Sequence, residues 1–115
     1  EADSFDAGGV VTVITYWRAL RTAQAEDDWT AFVHLLDAEG RYLAGDDRLQ
    51  CPPTGWHPGD VAAQVLRFTV PEEVSPGPAY LEVGFYRQRS GERLPVLAGG
   101  ERAGDRVLLA PVELE

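Results

Sequence analysis

Tyr16, Trp29, Tyr42, Trp56, Tyr80 and Tyr86 are many amphipathic rings for a chain of 115 residues with a net charge of −9. Aromatic faces beside carboxylates suit sugar recognition, because sugar rings stack their apolar C–H faces on Trp and Tyr while carboxylates accept the hydroxyl protons. The same rings are ordinary strand residues, and core or cross-strand packing accounts for most of them and for Trp17. Trp56 stands apart because it lies in the turn-rich run Gly55-Trp56-His57-Pro58-Gly59-Asp60. Trp56, His57, Asp60, Tyr80 and Tyr86 form the candidate ligand-binding set. For Trp56 the preferred role is a plug that anchors its loop on the sheet edge, with a stacking platform as the alternative.

Other chemistry finds less support. His34 falls in mid-strand, where a half-buried imidazole satisfied by a neighbour is the ordinary outcome and catalysis would need a nucleophile or acid beside it. His57 has no second His or Cys at metal-ligand spacing, so zinc is not expected. Asp37, Glu39, Asp46, Asp47 and Asp60 could ligate calcium, yet they do not follow the order of a dedicated calcium loop, and turn and strand-edge roles explain them more simply. No nucleophile motif points to a hydrolase, and no cofactor is expected.

The composition bounds the partners. One domain is expected at this length, and an apolar fraction of 44% is too high for a disordered segment. The acidic balance argues against nucleic acid, whose binders need a basic face, and against anionic membrane surfaces. The ten basic residues are all Arg, which assigns no function. Cys51 is alone, so neither an internal disulfide nor a cysteine metal site is available. No apolar run approaches the roughly 20 residues of a membrane span, and direct insertion is not expected.

The rings and carboxylates must be carried by strands. Leu66, Phe68 and Val70 alternate in one run, and Leu81, Val83 and Phe85 in another, with the proline-rich 71–78 turn between them. Val11, Val13, Thr15 and Trp17 share one face of a strand over residues 10–20. Runs at 29–37, 41–44, 93–97 and 106–114 complete seven, with hairpin turns at Ala38-Glu39-Gly40 and Ser90-Gly91 and a bulge or edge at Pro111. Residues 1–9 read as an acidic lead-in turn, 21–28 and 99–104 as polar loops, and 46–59 as the longest irregular stretch. The expectation is an all-β, antiparallel β-sandwich of about seven strands over residues 10–115, immunoglobulin-like or jelly-roll-like. Its expected core is Val11, Val13, Trp17, Phe32, Leu66, Phe68, Leu81, Val83 and Phe85.

Several strings occur in an order that carries a resemblance. They are Tyr16-Trp17-Arg18-Ala19-Leu20, Phe32-Val33-His34-Leu35-Leu36-Asp37, Trp56-His57-Pro58-Gly59-Asp60 and Gly91-Glu92-Arg93-Leu94-Pro95-Val96, with Pro76-Gly77 before a strand ending Val83-Gly84-Phe85-Tyr86. From about Val10 onward the chain resembles the C-terminal β-sandwich of certain bacterial multi-pass membrane glycosyltransferases, similar to protein O-mannosyltransferases that use polyprenyl-phosphate sugars. The resemblance implies a non-catalytic accessory or interaction domain on the extracytoplasmic face, because in that family the catalytic acidic residues lie in the membrane part. It also implies the membrane domain of the parent protein as a partner, while a carbohydrate-binding module is the alternative and a glycan its ligand. The chain departs from the family at its short acidic N-terminus, where another strand is usual.

Overall fold

The computed structural model describes residues 3–22, 28–48 and 56–115. They form ten strands and no helix: β1 (Asp3–Phe5), β2 (Val10–Arg18), β3 (Trp29–Asp37), β4 (Tyr42–Arg48), β5 (Val61–Thr69), β6 (Gly77–Arg87), β7 (Val96–Ala98), β8 (Glu101–Gly104), β9 (Val107–Leu108) and β10 (Val112–Leu114). The larger sheet runs β1-β10-β6-β3-β4, with β9 also pairing β6, while β2 and β5 form the second sheet and β7 and β8 a small hairpin. Every pairing is antiparallel except that of β1 with β10. The all-β antiparallel sandwich expected from the sequence is therefore the architecture.

Alternation fixes which residues face inward. On β2 the half-buried positions are Val11, Val13, Thr15 and Trp17, and the exposed ones are Thr12, Ile14, Tyr16 and Arg18. On β5, Ala62, Gln64, Leu66 and Phe68 are buried. Leu66 and Phe68 meet Ala31, Val33 and Leu35 of β3 and Ala79, Leu81 and Val83 of β6 in one apolar cluster, closed at the far edge by Val112 and Leu114. Each such Leu or Val contributes about 1.5–3 kcal/mol through burial. Trp17 and Phe85 meet edge to face across the two sheets, with ring centroids 4.5 Å apart. The Asp46 carboxylate on β4 accepts the Arg67 amide of β5 at 2.9 Å, which laces the sheets together at one margin.

Ten strands replace the expected seven or so, because the run 106–114 breaks into β9 and β10 and short strands appear where loops were expected, while β7 begins at Val96 and pairs with β8 rather than returning along β6. Further details also depart from the sequence reading. Phe32 is buried, but on the opposite face of β3 from Ala31, Val33 and Leu35, because both faces of this strand are covered and alternation vanishes from its sequence. Asp3–Phe5 is a strand rather than a turn, since β10, from the far end of the chain, supplies its hydrogen-bonding partner. Within the expected loop 99–104, residues 101–104 pair with β7. Asp46 and Asp47 continue β4 instead of opening an irregular stretch, and residues 49–55 of that stretch, Cys51 included, lie outside the described residues, as do residues 23–27. The anticipated hairpin turns do occur, with Gly40 and Gly91 in the left-handed region their geometry requires.

Candidate functional site

β3 and β6 are paired along their length, and the register sets His34 opposite Glu82 and Phe32 opposite Gly84, on the face turned away from β2 and β5. β4 adds Gly45 opposite His34 and Asp47 opposite Phe32. The two glycines make room for rings. A Cβ on Gly84 would stand 2.9 Å from Phe32 Cζ, and one on Gly45 would stand 2.9 Å from His34 Cδ2 and 3.2 Å from Tyr42 Cε2. Phe32 and His34 consequently stack at 4.7 Å, and Tyr42 meets the imidazole edge-on at 5.1 Å. After β6 the chain turns back across this face, where Arg93 bridges to Tyr86 and its guanidinium lies 4.7 Å over the Phe32 ring. This layer leaves Phe32 only 1% exposed.

Glu82 is the centre of the arrangement and is 3% exposed. Its Oε2 accepts His34 Nδ1 at 2.7 Å and Arg93 Nη2 at 3.2 Å, and its Oε1 accepts Arg106 Nη1 at 2.8 Å. Burial pushes the carboxyl up, but the hydrogen bonds from Arg106 and His34 and the charge of Arg93 outweigh it and hold Glu82 below the usual glutamate range. The group is thus a fixed anion that orients three donors. Arg93 reaches Asp105 more loosely, at 3.7 Å. His34 is half-buried and satisfied by a neighbour, as its mid-strand position suggests.

Above Glu82 lies a depression of about 300 Å³ walled by His34, Tyr42, Arg93 and Arg106. On the other side of Tyr42 a cleft of about 590 Å³ runs between the β3–β4 turn and the proline-rich 71–78 segment, lined by Arg41, Tyr42, Pro71, Val74 and Pro78 among others. Tyr42, 60% exposed, is the wall common to both. Volumes of this size are those of small-molecule sites.

The candidate set drawn from the sequence separates into two groups. Trp56, His57 and Asp60 belong to the turn leading into β5, where Asp60 Oδ2 accepts the His57 amide at 2.9 Å and the turn is stitched to Ala19 beyond β2 by two backbone hydrogen bonds of 2.8 Å. Tyr80 and Tyr86 lie on β6 of the other sheet, opposite Leu36 and Thr30. Trp56 is half-buried, and its indole N–H is enclosed with no hydrogen-bond partner among the described residues. Trp56→Ala is expected to destabilise by roughly 2–3 kcal/mol, short of a fully enclosed ring, and to leave saccharide binding unchanged. Lost binding at unchanged Tm would make Trp56 a stacking platform instead.

The remaining carboxylates are used in turns and edges. Asp37 caps the β3–β4 turn, accepting the Glu39 and Arg41 amides at 2.9 Å each. Asp47 accepts the Tyr86 hydroxyl, which pushes the Tyr86 phenol up to about 12. Of the four tyrosines, one is expected to form its anion at about pH 12 in a tyrosinate absorbance titration, and Asp47→Asn is expected to return it toward the ordinary value of 10. A titration with no component above the ordinary value of 10 would contradict this hydrogen bond.

Glu82, Arg93 and Arg106 were not legible as a site, since the two arginines read only as the first residues of two expected strands, and both stand just before the strands that form, β7 and β9. The interior-strand glycines Gly45 and Gly84 were the available signal, because such glycines mark close approach. Among the described residues no three His, Cys, Asp or Glu side chains gather to hold a metal, and no helix is long and apolar enough to cross a membrane. Comparisons with protein-family models, curated proteins and solved structures give no match.

Proposed function

We propose that this domain is a non-catalytic accessory module that binds saccharide on the outer face of its larger sheet, in the service of a membrane glycosyltransferase of the kind its sequence strings resemble. Tyr42 is the observation that carries the binding reading: an exposed ring braced against His34, with a depression on either side. A sugar stacks its C–H face on such a ring while neighbouring fixed donors take its hydroxyls. Glu82 argues for binding over turnover, because a carboxylate held ionised by three donors is not poised to deliver a proton near neutrality.

The ordered strings support the attachment, which places the domain on the extracytoplasmic face beside the membrane part of its parent. The exposed Ile14, Tyr16 and Val61 on the outward face of β2 and β5 favour a second reading, in which this opposite face packs on that membrane part. A glycan-binding screen tests the main reading. Tyr42→Ala is expected to weaken binding about tenfold or more without lowering Tm, and a screen with no saccharide bound overturns the reading. The attachment is tested by the sequence encoded upstream, where several apolar spans of about 20 residues are expected and their absence overturns it.

A further inference from the structure

Resting on the saccharide reading, we infer that the depression over Glu82 is an anion subsite, so that the preferred ligand is an acidic oligosaccharide whose charged group sits there while its neighbouring units cross Tyr42 into the larger cleft. The buried Glu82 has both oxygens engaged and, at 3% exposure, offers nothing to a ligand. What the walls present is donors: Arg106, 42% exposed and using one N–H on Glu82, Arg93, 32% exposed, and the His34 ring. A donor-lined depression is matched by an acceptor-rich group, and a guanidinium fork fits a carboxylate or phosphate in two-pronged fashion. Glu82 fixes that fork before any ligand arrives, which lowers the ordering cost of binding. Tyr42 walls both depressions, which favours a chain of sugars over a single unit.

The test titrates the intact domain with hyaluronan and oligogalacturonate tetrasaccharides, with neutral chitotetraose and maltotetraose, and with inorganic phosphate alone. At low salt an acidic tetrasaccharide is expected to bind at least about tenfold more tightly than the neutral ones, as one charge-assisted contact implies. The advantage is expected to shrink as salt is added and to close in Arg106→Gln, with Arg106→Lys keeping part of it because the charge remains. Equal binding of acidic and neutral chains, or an advantage that survives Arg106→Gln with Tm unchanged, overturns the anion subsite and leaves the saccharide reading standing. Phosphate alone binding as tightly as the acidic tetrasaccharides overturns the assignment to a sugar chain. Binding by no saccharide overturns both.

Discussion

Phe32→Ala is expected to cost about 3–5 kcal/mol, as for a Phe enclosed on every side, and to lower Tm by more than roughly 10 °C in a domain of this size. The ring is 1% exposed and lies between the backbone at Gly84, the His34 imidazole and the Arg93 guanidinium. Its loss would open a cavity that rigid strands on one side cannot fill. It would also remove the surface on which His34 and Arg93 rest, so the donors over Glu82 should lose their fixed positions along with the stability. A cost below about 1 kcal/mol in chemical denaturation would mean that the 93–106 segment does not close over this face.

Glu82→Gln is expected to destabilise by about 2–3 kcal/mol, although the two side chains are nearly the same size. Breaking a buried ion pair costs about 3–5 kcal/mol when the surviving charge stays buried. Here Arg93 and Arg106 keep 32% and 42% of their surface and can turn partly to water, which reduces the penalty. The same carboxylate sets an acid limb. Because the folded Glu82 holds its proton less readily than the ordinary value of 4.5, protonation favours the unfolded chain. Its contribution is therefore present above pH 4.5 and lost as pH falls through the lower folded value. Denaturation across that range should show the native protein losing stability faster than Glu82→Gln. Parallel acid limbs in the two proteins would remove Glu82 from the centre of the arrangement.

The parts of the fold that could be read directly were those with one covered face. β2, with its Val11, Val13, Thr15 and Trp17, and β5, with Leu66 and Phe68, kept the alternation that a half-buried strand imposes. β3 lost it because the 93–106 segment covers its second face, which is why Phe32 read as facing the same core as Leu66 and Val83. β1 carried no local signal, since three residues gain a strand's hydrogen bonds only when the far end of the chain arrives beside them. The site followed the same logic. Tyr42 and Tyr86 stood out as rings, but Glu82, between Leu81 and Val83, occupies the outward position of an alternating strand, and nothing in the spacing of Arg93 and Arg106 foretells that both converge on it.

The most direct measurement of the binding claim is a map of amide chemical-shift changes on adding a saccharide that binds. Changes are expected at His34, Tyr42, Glu82, Arg93 and Arg106, with the Trp56–Asp60 turn and the β2–β5 face unmoved. Changes confined to Trp56, His57 and Asp60, or spread over β2 and β5, would contradict the assignment of the site to the outer face of the larger sheet.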